Sequence, residues 1–87
     1  MPYTVEILRR AEKTLRALTD RKLYLRLRNT IDALAVEPRP HGCAKLSGAK
    51  NIYRVRTGDY RIIYQIEDDR LLILVAEIGH RREVYRG

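Results

Sequence analysis

The chain has 87 residues, which suffices for one small domain whose hydrophobic core gives limited stability unless a partner adds to it. Its 18 lysine and arginine residues exceed its 11 acidic residues, and the formal charge of +7 favours nucleic acid or an acidic protein as ligand, although it would also keep a small domain soluble. One cysteine excludes an internal disulfide, and the short apolar stretches argue against a secretory signal or a membrane span, so we expect a cytoplasmic protein without a metal or other cofactor.

The first half of the chain predicts a short strand and two basic helices. Residues 3–7 alternate between apolar and polar types, as a strand does. Apolar residues at helical spacing then predict a first helix. Thr19 or Asp20 would cap a second helix that begins near Arg21, and this second helix ends at the prolines of residues 37–40. The apolar faces of the two helices consist of Ala11, Leu15 and Leu18, and of Leu23, Leu27, Ile31 and Leu34.

The second half predicts a loop followed by three strands, at residues 41–50, 52–56, 60–66 and 71–78. Turn-forming sequences join the strands. The last strand is apolar on both faces, which favours a central position in the sheet. We therefore expect a single α+β domain over residues 1–87: an N-terminal strand, a helical hairpin packed on one face of a small antiparallel sheet, and three consecutive C-terminal strands.

Arginines recur at every second residue of the predicted strands. Because strand side chains alternate between two faces, Arg54 and Arg56 share one face, and Arg61 lies opposite to its neighbouring tyrosines. The tyrosines Tyr53, Tyr60 and Tyr64 are then expected to fill the core on the helix side. A face of guanidinium groups suits RNA phosphates, whereas the alternative interpretation is a set of solvated strand arginines.

Three motifs carry a resemblance to a known family. They are YRVR at residues 53–56, GDYRIIY at 58–64 and GHRREVY at 79–85. Together with the order of elements, they resemble the RelE family of toxins within the RelE/ParE superfamily. This resemblance implies a toxin of a type II toxin–antitoxin pair that cuts messenger RNA in the ribosomal A site. It also implies a cognate antitoxin as partner, and contact with operator DNA only through the antitoxin complex.

The chemistry implied by the resemblance is attack of a ribose 2′-hydroxyl on the adjacent phosphorus, without a metal. Arg61 matches the catalytic arginine of the family and would stabilise the negatively charged phosphorane, since its planar fork grips two phosphate oxygens. Arg54 and Arg56 match basic positions that bind phosphate. Arginine stays protonated, so a phosphate clamp is the safer assignment for both than proton transfer.

The C-terminal motif supplies the remaining implied roles. Arg81 would neutralise or protonate near the leaving group, with Arg82 as an alternative for this role. Tyr85 would stack on a base, an interaction worth on the order of 1–3 kcal/mol. Lys45 and Lys50 flank the predicted site and would add phosphate contacts.

His80 is the first candidate for the missing base or acid, although the identity of the base is left open. His80 has an unperturbed pKa of about 6.5, which suits proton transfer at neutral pH. Glu77 is the alternative, either as a carboxylate base or as an ion-pair partner that orients Arg81.

Two further functions remain compatible with the sequence. The ParE branch of the superfamily consists of noncatalytic binders of DNA gyrase, which tend to lack the terminal arginine–tyrosine motif. A chain whose activity has been lost would keep only antitoxin and operator binding.

Overall fold

The computed structural model describes residues 2–46, 48 and 50–80 of the chain. Two helices, five strands and a single 3₁₀ turn make up this part. In chain order they are β1 (Thr4–Ile7), α1 (Arg9–Ala17), α2 (Arg21–Leu34), β2 (Ala44–Lys45), β3 (Ile52–Thr57), β4 (Tyr60–Glu67), the 3₁₀ turn (Asp68–Arg70) and β5 (Leu72–His80). The N-terminal strand, the helical hairpin and the three C-terminal strands confirm the predicted fold class.

The five strands form one sheet with the order β1-β5-β4-β3-β2. The pairs β2–β3, β3–β4 and β4–β5 are antiparallel, whereas β1 runs parallel to β5. The sheet is therefore mixed rather than antiparallel throughout, because the N-terminal strand lies beyond β5 and runs in the same direction. Within the predicted loop, β2 adds a short edge strand. The position of β5 between β1 and β4 confirms the central strand that its apolar residues predicted.

The two helices begin in different ways. The carboxylate of Asp20 accepts hydrogen bonds from the backbone N–H groups of Lys22 at 3.0 Å and Leu23 at 3.2 Å, and such a cap stabilises a helix by about 1 kcal/mol. At the start of α1, Leu8 provides no side-chain cap, so this helix depends on the packing of its apolar face. Within the described ranges, no helix is long and apolar enough to cross a membrane.

Both helices pack on one side of the sheet, which we call the helix face. The buried apolar residues of the helices and strands are Ala11, Leu15, Leu27, Ile31, Leu34, Val55, Ile62, Tyr64, Ile66, Ile73, Val75 and Ile78. The hydroxyl of Tyr64 donates a 2.7 Å hydrogen bond to the carbonyl of Pro38, and burial raises the pKa of Tyr64. Tyr53 and Tyr60 pack against the same core, as the alternation of the strands predicted.

An irregularity in β5 determines which of its residues share a face. Ile63 pairs with Glu77 and Tyr64 pairs with Val75, so Ala76 is the extra residue of a β-bulge. Because of the bulge, β5 has buried side chains on the helix face both before and after Ala76. Beyond the bulge, Glu77 lies on the opposite face of the sheet.

Candidate nucleic-acid interface

The sheet face opposite the helices carries the three strand arginines, and we call it the arginine face. Arg56 of β3 pairs directly with Arg61 of β4, and Arg54 pairs with Ile63. Directly paired residues point to the same side of a sheet, so three guanidinium groups project into one area. Like charges in direct cross-strand register repel each other, and an anionic group between the two guanidinium groups would offset this repulsion.

The three arginines differ in their exposure to solvent. The side chain of Arg61 is buried, with 6% of the residue exposed, and its partner in β5 is Gly79, which has no side chain. Arg54 is half-buried and Arg56 is exposed. In the part of the chain that the structure describes, no carboxylate lies within 4.0 Å of the Arg56 guanidinium. Arg61 is thus held where its charge acts in a low dielectric, and Arg56 is accessible to a ligand.

Glu77 also lies on the arginine face. It pairs with Ile63, which makes it the diagonal neighbour of Arg61, at about 7–8 Å between Cα atoms. Its Oε2 atom lies 3.9 Å from Nη2 of Arg10 in α1. The two side chains are 37% and 78% exposed, so this ion pair contributes little to stability. The position suits both roles that the sequence left open, a proton acceptor and a counter-ion.

Two predicted site residues lie on the other side of the sheet. His80 pairs with Tyr60 on the helix face, and the two rings meet edge to face with 5.7 Å between their centroids. Lys45 pairs with Tyr53 and therefore also points to the helix side of the edge strand. The structure does not bring either residue to the three arginines, and their roles stay predictions.

Lys50 lies two residues before the start of β3, at the end of that strand opposite to Arg56, and roughly 13 Å of strand separate Ile52 from Arg56. It borders a shallow depression whose other residues are Asn51, Glu67, Asp68 and Asp69. Arg81, Arg82 and Tyr85 lie outside the described residues, so their roles stay predictions as well. The structure therefore groups Arg54, Arg56, Arg61 and Glu77.

A second polar cluster, centred on Arg39, was not predicted. Arg39 forms a two-nitrogen contact with the carboxylate of Asp68, at 2.8 and 3.4 Å, and its Nε donates to the Tyr53 hydroxyl at 3.1 Å. Asp68 also accepts a 2.6 Å hydrogen bond from the Tyr3 hydroxyl. The hydrogen bond from Arg39, and to a smaller extent that from Tyr3, lowers the pKa of Asp68. The bond to Asp68 in turn raises the pKa of Tyr3. No local sequence signal links residues so far apart in the chain.

Comparison with known proteins gives consistent results over nearly the whole chain. Residues 5–85 match the family model described as the ParE toxin of the type II toxin–antitoxin system parDE. Toxin RelG of Mycobacterium tuberculosis is 29% identical over 86 residues, with 99% of each chain covered. RelE1 of Methanocaldococcus jannaschii is 30% identical over 90 residues, which cover 100% of this chain and 99% of that protein.

Solved structures give the same result. A chain of the RelE–RelB complex from Pyrococcus horikoshii superposes with a TM-score of 0.81 and 32% identity, over 93% of this chain and 97% of the other. A chain of the Escherichia coli RelBE toxin–antitoxin complex superposes with a TM-score of 0.77 and 25% identity, over 90% and 95% of the two chains. The protein therefore belongs to the RelE/ParE superfamily of toxins of type II toxin–antitoxin systems.

Proposed function

We propose that this toxin is an endoribonuclease that cuts messenger RNA in the ribosomal A site and so inhibits translation. The observation that supports this best is the direct cross-strand pair of Arg56 with the buried Arg61. A phosphate placed between the two guanidinium groups would offset the repulsion of their like charges. The similarity to RelE toxins over almost the full chain supports the same class of activity.

In this proposal the arginines act on charge and not on protons. Arg61, fixed by burial, would stabilise the phosphorane that forms when the ribose 2′-hydroxyl attacks the adjacent phosphorus. Arg54 and Arg56 would hold the phosphate in line. Arg81, with Arg82 as the alternative, would act near the leaving 5′-oxygen, and Tyr85 would stack on a base. No metal is needed for this chemistry.

A proton acceptor is still required, since arginine stays protonated. Glu77 shares the arginine face with Arg61, whereas His80 lies beside Tyr60 on the helix face. We therefore favour Glu77 as the base. In a cleavage assay, Glu77→Gln is expected to lower the rate about 100-fold or more, the usual contribution of general-base catalysis, and His80→Gln to lower it far less. The reverse order would assign the proton transfer to His80.

We also propose a cognate antitoxin as the direct protein partner. The relatives of known structure include RelE–RelB complexes from an archaeon and from Escherichia coli. An antitoxin segment with carboxylates would fit the arginine face by charge. The ribosome and messenger RNA would be the other partners, and operator DNA would be contacted only through the toxin–antitoxin complex.

The test is primer extension on a defined message in a purified translation system, with and without ribosomes. We expect cleavage within the A-site codon that requires ribosomes and is abolished by Arg61→Ala. Arg70→Ala is the matched control, because Arg70 is exposed and lies in the 3₁₀ turn, away from Arg56 and Arg61. A cooperative thermal unfolding transition of Arg61→Ala would verify its fold. An intact message with the wild-type protein would refute the proposal.

Inhibition of DNA gyrase is the second candidate, because the family model that matches residues 5–85 is that of the ParE toxin. A supercoiling assay on the same preparation tests it directly. Inhibited supercoiling with an intact message would assign the protein to that activity. A lack of both effects, together with operator binding by the antitoxin complex, would leave a module whose toxin activity has been lost.

A further inference from the structure

Helix α2 carries one arginine to the end of the sheet where Arg56 lies. The guanidinium group of Arg26 rests against the turn between β3 and β4, at Gly58. A Cβ atom added at Gly58 would lie 3.3 Å from Nη1 and 3.7 Å from Cζ of Arg26. Gly58 has a φ of +61°, a conformation that glycine adopts without strain, and it leaves room for the arginine. A glycine at this position of the turn thus accommodates the guanidinium group of Arg26.

One hydrogen bond joins α2 to the hairpin at this point, and a second, within α2, joins the same threonine to Arg26. The hydroxyl of Thr30 lies 3.0 Å from the backbone carbonyl oxygen of Arg26 and 2.6 Å from the hydroxyl of Thr57. Thr57 is the last residue of β3 and immediately precedes Gly58. The helical turn that carries Arg26 is therefore tied to the strand that carries Arg56. These bonds fix the backbone at Arg26 relative to the hairpin, and the exposed side chain is accessible to a ligand.

Arg26 forms no ion pair within the described part of the chain. Its side chain is exposed, and no carboxylate there lies within 4.0 Å of its nitrogens, Asp59 of the same turn included. Arg56 lacks such a neighbour as well. The two arginines lie on either side of the β3–β4 turn, and their two positive charges exceed the single negative charge of Asp59 in that turn.

We propose that Arg26 is an additional RNA-phosphate contact outside the arginine face, and that the bound strand passes over the β3–β4 turn. The proposal rests on the RNA-directed function proposed above. Successive phosphates of an RNA strand can be bound by successive N–H donors. Arg56 and Arg26 supply such donors. The turn itself, Gly58 and Asp59, has no apolar side chain against which a protein segment would pack. The geometry therefore favours a polyanionic strand over a peptide.

The test is fluorescence anisotropy with a labelled ten-nucleotide single-stranded RNA and with a dinucleotide, over a range of salt concentrations. Each phosphate contact contributes about 0.7 to the slope of log K against log salt for single strands. We expect Arg26→Gln to reduce the slope by this amount for the ten-nucleotide RNA and to leave dinucleotide binding unchanged. Arg56→Gln should weaken binding of both RNAs, and Arg70→Gln, the control of equal charge change, should affect neither.

The other outcomes are distinguishable. If Arg26→Gln behaves like Arg70→Gln while Arg56→Gln lowers the slope, the proposal for Arg26 is wrong and the RNA-directed function stands. If Arg56→Gln also has no effect, the arginine face does not bind RNA and both proposals fail. If Arg26→Gln weakens antitoxin binding but leaves the RNA slope unchanged, Arg26 belongs to the protein interface and the RNA contact is refuted.

Discussion

At the scale of single residues, the arginines that would bind an anionic ligand are expected to lower the stability of the free protein. Arg56 and Arg61 lie in direct cross-strand register, and Arg61 is also buried. Paired strand positions usually carry side chains that attract each other. Repulsion between two like charges at paired positions is therefore expected to lower the stability of the free protein.

Replacing the exposed member of this pair should therefore stabilise the free protein. We expect Arg56→Gln to raise the free energy of unfolding by about 0.5 kcal/mol, whereas most substitutions lower it. The measurement is urea denaturation of the free toxin at low salt, followed by the same measurement at high salt, where screening should reduce the gain. The matched variant is Arg70→Gln, which removes one positive charge from an exposed turn. Equal effects of the two substitutions would attribute the gain to net charge and not to the cross-strand pair.

The sequence predicted these arginines better than it predicted the ionisable groups around them. Alternation alone places Arg54, Arg56 and Arg61 on one face, because β3 and β4 pair in regular register over these positions. The side to which His80 and Glu77 point depends on β5, where the bulge at Ala76 shifts the alternation. A bulge is a property of strand pairing and leaves no reliable mark in a single sequence.

At the scale of elements, the strands and helices with strong periodic patterns were predictable, and the short or long-range ones were not. The apolar stripe of α2 and its cap at Asp20 are local signals. The two residues of β2 are too few to give a pattern. The parallel pairing of β1 with β5 joins segments more than 60 residues apart in the chain, which no local spacing reveals.

The Arg39 cluster is the clearest example of such long-range joining. It connects the segment before β1, the segment after α2 and the turn before β5 through Tyr3, Arg39 and Asp68. In the folded protein the bonds to Asp68, above all that from Arg39, hold its pKa below its usual value. The cluster therefore connects the stability of these three segments to pH.

The sign of this pH dependence follows from the lowered pKa of Asp68. Its contribution is complete above the unfolded-state pKa of about 3.9 and is lost as pH falls through the lower folded-state value. We expect Asp68→Asn to be less stable than wild type near neutral pH and to approach wild-type stability as pH falls through the folded-state pKa of Asp68. Thermal unfolding of both proteins from neutral to acidic pH measures this difference in stability. Asp69→Asn is the control at an exposed neighbouring residue. Melting curves for wild type and Asp68→Asn that stay equally far apart at every pH would contradict the role of the charged carboxylate.

At the scale of the whole molecule, charge is unevenly distributed over a small domain with one core. The net charge is +7, yet Glu67, the last residue of β4, and Asp68 and Asp69 of the following turn are all acidic and lie at the opposite end of β4 from Arg61. A cationic face with a buried arginine and a single small core give the free toxin limited stability. Binding of an acidic antitoxin segment would add apolar burial and neutralise the arginines at the same time.

We therefore predict that the antitoxin stabilises the toxin in a salt-dependent way. A small acidic open reading frame next to the toxin gene would identify this antitoxin. At an antitoxin concentration 100 times Kd, binding adds about 2.7 kcal/mol, or roughly 10–20 °C in Tm for a domain of this size. We expect this gain to fall at high salt, and Arg54→Gln with Arg56→Gln to remove most of its salt dependence. Arg21→Gln with Arg70→Gln removes the same charge from exposed positions and serves as control. An equal loss of salt dependence in both double variants would mean that the antitoxin responds to net charge and does not cover the arginine face.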